Sequence, residues 1–570
     1  MNGIPLIYLC LVCLFPSMSY AQSATQWNFG LGSEFPGAKG SMALDPDGFD
    51  IRYDFSSGGK YVEVSTKFPQ PAAAEAIRFK VNSASMADIT IHAVDESGQT
   101  LEFRLKRPFD VSPEANGYEQ TVSLLSSGIH WNGANDGKLH GGITQIAFHV
   151  SVEWQAPQGS AKISHIEFLS QAPVFQLQAR PAQAARESDP LANLTISVHN
   201  PNDESLAKAQ ELGFKWARTD LFWNLVEKKT GVYDFSGSDA QLERIETHGM
   251  KMIFILDYTN NLYVDQGKSV VDSETSLKKF GDFAEAAARH YTSRPVIFEL
   301  WNEPNYPNWG HKPPSIQDAA QYSILWKEVE KRIHAVNPQA ELVTGGLTSI
   351  GGLPYMTEML ATGGGRNGVG ISMHPYTKSE PEFTGAKIEA YRRIIEDAHM
   401  SISLISTECG YSTGWYGKED STGLNAKQAL FDTRMLLTHL AMRLPRITFY
   451  DLTDDGADPA DSENRFGILT RTDQEKPVTQ ALRIAIGVLK GKGFPEIVST
   501  PVSSLHVLRF GGQGDSLYVL WLDQQGETMQ VSIPPPVDAK DMYGGAVNRD
   551  AWGNLTLSEN SGPLYLTYAE

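Results

Sequence analysis

Two glutamates occupy comparable places in this 570-residue sequence, each at the end of an apolar run. Glu303 follows the run in VIFELWNEPNYPNW (residues 296–309), and Glu408 ends the run in LISTECGY (404–411). Two carboxyl groups can divide general-acid and nucleophilic work if their surroundings keep a proton on one and hold the other ionised. Polar residues recur at the ends of other apolar runs: His199, Arg218 with Asp220, Asp257 with Tyr258, Asn302, His374, Tyr376 and Asp451. Tryptophans 223, 301, 309 and 415 lie on or just after such runs. Indole faces beside convergent polar groups suit a ligand that is apolar on one face and hydroxylated at its rim. Trp309 and Trp415, in polar loops, are the best candidates for that platform.

Carboxylates from distant runs can meet only if the runs share one sheet. The apolar runs LTISVH, FKWARTD, MKMIFILDY, VIFELWNEP, AELVTGGL, GVGISMHPY, ISLISTE and RITFYDL succeed one another, with helical patterns such as SLKKFGDFAEAAARHY and IEAYRRIIEDAHM between several of them. Eight strands alternating with helices over roughly 300 residues predict an α/β fold, a (β/α)8 TIM barrel spanning 191–490. Polar residues at the C-terminal ends of its strands then surround the active site. Strands four and seven approach across the mouth, where carboxyl groups can come within about 5 to 5.5 Å, the separation of a double-displacement pair.

The flanks read differently. Residues 22–175 show strand after strand with turn residues between, as in ADITIHAVDESGQTLEFRLKR, whose two halves alternate about Glu96-Ser97-Gly98. They predict an N-terminal β-sandwich of jelly-roll type, a candidate carbohydrate-binding module in which Trp131 sits in a Gly- and Asn-rich loop. Residues 176–190, rich in Ala, Pro and Gln, read as a linker, and 495–570 as a small C-terminal β-sandwich domain. Residues 1–21 read as a signal peptide cut after Ala21, so the mature chain is expected to be secreted or periplasmic, without an integral membrane segment. Cys10 and Cys13 fall in that leader, which leaves Cys409 as the single mature cysteine and a large core to hold the fold. A formal net charge of -19 argues against nucleic acid as partner.

FELWNEPN and LISTECGY, at strands four and seven of a predicted barrel, resemble the acid/base and nucleophile motifs of clan A retaining glycoside hydrolases. Among these, the chain is most similar to family 39, with its β-xylosidases and bacterial exopolysaccharide endoglycosidases. The resemblance implies that Glu303 protonates the departing oxygen and later activates water, and that Glu408 attacks the anomeric carbon. It implies that Arg218 favours the ionised nucleophile, that Tyr376 hydrogen-bonds it and that Asn302 holds the sugar 2-hydroxyl. His374 and His199 are implied as polar walls of the first subsite. The sequence departs from many clan members at strand eight, where FYDLTDDG has no tryptophan.

Blander roles fit other residues. Glu299, inside the fourth strand, reads as a buried, paired carboxylate, with Arg218 as its candidate partner. Cys409 reads as a packing residue, and Asp454 and Asp455 as part of a solvated acidic loop that lacks calcium-loop spacing. The expectation is a retaining β-glycoside hydrolase, endo-acting on extracellular or cell-wall polysaccharide, with neither cofactor nor metal. The alternatives are a transglycosylase remodelling such a polymer and a non-catalytic carbohydrate-binding protein. Sugar, linkage and oligomeric state are not legible in the sequence.

Overall fold

Each of the eight apolar runs is a strand in the computed structural model, which describes residues 26–569 apart from 83–87, 106–116, 152–156, 181–188, 307–315, 317, 350, 416–420, 460 and 513. The expected leader, half of the expected linker and Trp309 lie outside the described residues. We number the barrel strands β1 (Leu194–Ser197), β2 (Trp216–Phe222), β3 (Lys251–Asp257), β4 (Val296–Leu300), β5 (Glu341–Thr344), β6 (Gly370–His374), β7 (Ser403–Ser406) and β8 (Ile447–Phe449). They pair in parallel and in chain order from β1 to β7, and β8 returns to pair with β1. Between β7 and β8 the contact is a bridge from Cys409 to Phe449, with the Cys409 N–H donating to Thr448 O at 2.8 Å. That bridge completes the ring expected of a (β/α)8 barrel.

The helices follow from local signals. Glu274–His290 starts at a capping box of Ser273 and Ser276 and buries Phe280, Phe283, Ala284, Ala287 and Ala288, the 3- and 4-residue spacing of one helix face. Ala319–Val336 is capped by Asp318, whose carboxylate accepts from the Ala320 and Gln321 N–H groups. Among the described residues no helix is long and apolar enough to cross a membrane.

Inside the barrel, the two-residue strand period stacks unlike layers. Trp216, Ile253, Ile297, Val343 and Ile405 form an apolar layer. Two residues further along β2 and β4 stand Arg218 and Glu299, and two beyond Ile405 stands Thr407, all buried. A polar layer thus lies on an apolar floor, toward the C-terminal ends of the strands.

The described residues among 26–105, 117–151 and 157–174 make a compact unit of two antiparallel sheets. One has the strand order Asn28–Gly30, Tyr61–Ala72, Ile143–Ser151, Asp88–Asp95, Thr100–Leu105, His130–Trp131; the other, Lys39–Asp45, Gly48–Asp54, Gln158–Leu169, Ala76–Asn82, Tyr118–Ser123. Phe148 of the first meets Phe49 and Phe79 of the second at ring separations of 5.7 and 5.2 Å.

The barrel and the C-terminal β segment form one compact unit. Its five-stranded sheet carries Trp521, whose indole N–H donates to Glu382 at 2.7 Å, and Glu382 also pairs with Arg434 of the helix Ser421–Ala441. One expected boundary needs correction. Residues 176–190 do not begin as a free linker: Phe175–Gln176 is a strand paired in parallel with Val531 and Ser532. Phe175 and Leu177 are buried in the C-terminal core, and the Arg180 N–H donates to the Tyr518 hydroxyl at 2.9 Å. Burying two apolar residues outweighs the Ala- and Pro-rich composition that follows them.

Candidate active site

Arg218 organises the polar layer. It is 3% exposed, and its Nε and Nη2 donate to the two oxygens of Glu299 at 2.7 and 3.1 Å. Nη1 donates to Glu408 Oε1 at 2.7 Å and Nη2 also to Asn302 Oδ1 at 2.9 Å. The planar fork lets one buried cation serve two carboxylates and an amide at fixed angles. Glu299 is fully buried, as its place inside β4 suggests, and also accepts from Thr407 Oγ1 at 2.8 Å and from the Gly346 N–H at 3.1 Å.

Glu408 is 7% exposed at the end of β7. Burial alone would raise its carboxyl, but the charges of His374 and Arg218 and the Tyr376 hydroxyl, 2.9 Å from Oε2, hold it below the usual carboxylate range. It is the group in the site best prepared to remain an anion.

Glu303 reaches the same place by a different backbone route. After β4 the chain adopts left-handed dihedrals at Trp301 (φ 69°) and Glu303 (φ 48°), which is uncommon for non-glycine residues and costs about 1–3 kcal/mol each. The turn sends Trp301 into the core, fully buried, and returns Glu303 over the mouth. Its Oε1 lies 2.9 Å from His374 Nδ1, which is also 3.4 Å from Glu408 Oε2. These three ligand-type atoms lie within 4.8 Å of one another, so the two carboxyl groups nearly touch across one imidazole.

His374 links the two glutamates. Thr407 Oγ1 donates to Glu299, so it accepts from His374 Nε2 at 3.1 Å, while Nδ1 faces the two glutamates. Nε2 therefore carries a hydrogen, while Nδ1 donates to an ionised Glu303 or accepts from its protonated form. Burial opposes a charged ring, and the neighbouring Glu408 and Glu303 overcome it and raise the pKa. Asp257 is fully buried, and burial with the neighbouring Asp220 pushes its carboxyl well up, which favours its neutral form.

Six sequence candidates are therefore brought together: Glu303, Glu408, Arg218, Asn302, His374 and Tyr376. His199 stands apart from the glutamates. It pairs with Asp455 at 2.9 Å and Asp451 at 3.6 Å; burial resists its charge, but these two acids lift it to about 10. Trp415 meets Tyr376 edge to face at 6.5 Å and Phe466 at 5.4 Å, so it joins the aromatic wall behind the Glu408 partner. Trp223 is core, with its indole N–H donating to Glu227 at 2.7 Å. The acidic loop is not simply solvated: Asp454 is 6% exposed and paired with Lys476 at 3.2 Å.

Three residues escaped sequence reasoning. Tyr450 follows β8, where no tryptophan stands, and meets Phe466 at 5.3 Å and His199 at 5.6 Å. An aromatic of another type at the expected strand end was the available signal. Thr407 was legible only as the neighbour of Glu408, and Phe466, deep in a loop, carried no local signal.

A cellulase model (glycosyl hydrolase family 5) matches residues 183–429, a span that includes β1 to β7 and both glutamates. No curated protein matches the chain in sequence. A family 39 glycoside hydrolase from the gut symbiont Bacteroides cellulosilyticus WH2 superposes with a TM-score of 0.57 at 21% identity, covering 86% of this chain and 96% of its own. A GH39 β-xylosidase from Caulobacter crescentus gives 0.51 at 18% identity, covering 70% and 100%. The chain is thus similar in fold to these family 39 glycoside hydrolases, and its residues 183–429 match the glycosyl hydrolase family 5 model.

Proposed function

We propose that this chain is a retaining β-glycosidase working by double displacement, with Glu408 as nucleophile and Glu303 as acid/base. The observation that carries the reading is the pair itself: oxygens of Glu303 and Glu408 lie within 4.8 Å of one another, which supports a close, retaining pair over a widely spaced one.

In the first step Glu408 Oε attacks the anomeric carbon, and the glycosidic bond breaks as Glu303 gives its proton to the leaving oxygen. In the second, Glu303 takes a proton from water as the water oxygen displaces Glu408. Arg218 and Tyr376 hold Glu408 ionised and aimed before the first step. Asn302 is fixed through its Oδ1 by Arg218 and also hydrogen-bonds the Tyr258 side chain, and the reading gives its remaining amide hydrogen to the sugar 2-hydroxyl.

The reading takes the substrate to be a polymer and the action to be endo; a cavity of about 650 Å³ lined by His199, Asp220, Phe222, Leu225, Lys228 and Gln241 among others includes neither glutamate in its lining. Export of the mature chain, a jelly-roll reading of the two N-terminal sheets and a β-linked extracellular glycan complete the proposal.

The test is turnover of residues 22–570 on β-linked polysaccharides and aryl β-glycosides, with Glu303→Gln alongside. Defined products from the wild type, lost with Glu303→Gln on substrates with poor leaving groups, are expected. Undiminished turnover by Glu303→Gln on those substrates would overturn the assignment.

A further inference from the structure

On the outer face of the six-stranded N-terminal sheet, rings run across the strands in an unbroken row. Phe35 meets Tyr61 at 6.4 Å, Tyr61 stacks on His149 at 4.5 Å, His149 meets His92 at 4.0 Å, and His92 meets Trp131 edge to face at 5.1 Å. The strand period explains the row: His149 lies between the buried Phe148 and Val150, and His92 between the buried Ile91 and Ala93, so these rings point away from the core. Phe35 and Trp131, at its two ends, are 38% and 36% exposed.

Three acids along the row have side-chain partners. Glu63 pairs with His149 at 2.9 Å, Glu102 with His92 at 3.2 Å and with Arg104 at 2.9 Å, and Glu34 accepts from the Tyr61 hydroxyl. Lys60 lies over the Phe35 ring at 4.1 Å. The face therefore presents exposed rings at its two ends and polar groups between them, and among the described residues of the row no block of unpaired positive charge serves an anionic polymer.

The loop that presents Trp131 is fixed from beneath. Gln99, fully buried, donates to Lys138 O at 2.8 Å and accepts from the Asp136 and Gly137 N–H groups at 2.8 and 2.9 Å. The buried Asp95 accepts from the His140 N–H at 3.0 Å, and Ser97 Oγ accepts from the Ala134 N–H at 3.1 Å. An exposed indole on a loop held by buried side chains is pre-organised, so little ordering cost remains when a ligand stacks on it.

We propose that this face binds an uncharged β-linked glycan chain, lying across the strands with sugar rings against Phe35 and Trp131 at the two ends of the row and hydroxyls at the polar groups between them. The choice of glycan rests on the glycosidase reading of the barrel; the face itself is independent of the catalytic residues.

The test is affinity electrophoresis of full-length Glu303→Gln protein, whose polymer is not digested, in gels containing xylan, mixed-linkage β-glucan or the anionic polymer alginate. Retardation by at least one neutral polymer and none by alginate is expected, with Trp131→Ala or Phe35→Ala added to the same background weakening Kd about tenfold. In the background with Glu303 intact, the same two substitutions leave kcat and KM on aryl glycosides unchanged. Retardation that is equal with and without Trp131 and Phe35, or absent in every neutral gel, or strongest in alginate, overturns the proposal. Because binding is read in Glu303→Gln and turnover in its parent, failure of the face and failure of the catalytic assignment are separately visible.

Discussion

Arg218 Nη1 stands 2.7 Å from Glu408 Oε1 while Nε of the same guanidinium stands 2.7 Å from Glu299 Oε2. One buried cation thus neutralises the candidate nucleophile and a carboxylate with no candidate chemical role. Arg218→Met would leave both acids buried without it, at a cost of about 3–5 kcal/mol. Adding Glu299→Gln removes one of the two stranded charges, so denaturant melts should show the double variant recovering part of that loss. Equal stability of the single and double variants would mean that Glu299 was not held by this pairing.

Tyr376 donates to the other oxygen of Glu408 at 2.9 Å. Hydrogen bonds to charged groups contribute about 1.5–3 kcal/mol, so Tyr376→Phe should lower kcat/KM roughly 10- to 100-fold. The bond favours the ionised carboxylate, and its loss lets Glu408 take a proton at higher pH. The acid limb of the pH profile should therefore move upward. An unmoved limb with reduced rate would assign Tyr376 to substrate contact instead.

The two glutamates can be told apart by azide. With Glu408→Gly and an aryl β-glycoside, azide attacks the anomeric carbon from the vacated face as aryloxide leaves, and an α-glycosyl azide forms. With Glu303→Ala the glycosyl-enzyme still forms, and azide displaces Glu408 from the opposite face to give the β-azide. Product anomers read by NMR check both roles, and exchanged anomers would exchange the residues.

Glu382 and Arg434 are both fully buried, with Glu382 Oε2 2.6 Å from Arg434 Nη2 and Oε1 accepting from Trp521 at 2.7 Å. Burial would raise the Glu382 carboxyl, but Arg434 pulls it below its ordinary value of 4.5. A carboxyl lowered on folding contributes stability above its unfolded pKa and loses it as pH falls through the folded one. Glu382→Gln should therefore melt well below the wild type at neutral pH, and the gap should narrow as the solution is acidified below the ordinary carboxylate range. A gap independent of pH would reduce the pair to packing.

His439, in the helix Ser421–Ala441, is fully buried, and neither ring nitrogen has a hydrogen-bond partner among the described residues. Burial pushes it down from 6.5 to about 3, so the unfolded chain binds the extra proton first. Below pH 6.5 this one residue should cost about 1.4 kcal/mol per pH unit until the folded form also protonates. His439→Leu should flatten the stability profile between pH 6.5 and 3 by that slope. An unchanged slope would show that the ring is solvated in the folded protein.

Much of the barrel was legible because its signals are local. An apolar run such as MKMIFILDY is buried on both faces in a parallel sheet and needs no partner to be recognised as a strand. The WNEP turn announces itself through residue type. The docking of Phe175 and Leu177 was not legible, because two apolar residues before an Ala- and Pro-rich stretch do not name the sheet that will cover them. Asp454 looked solvated for the same reason: Lys476, which buries with it, lies 22 residues away and on no shared pattern.

The sequence by itself determined the eight-strand alternation, the two glutamates at the ends of the fourth and seventh strands, and the polar residues at neighbouring strand ends, since these depend on periodicity and residue type along the chain. Only the tertiary structure decided which of those polar groups share a proton or a charge. It placed one imidazole between Glu303 and Glu408, gave Arg218 to Glu299 as well as Glu408, and raised the Asp257 carboxyl by burying it beside Asp220. The reason is physical: charge states depend on burial and on distances of a few ångströms between residues up to 190 positions apart, and neither quantity is written in local sequence.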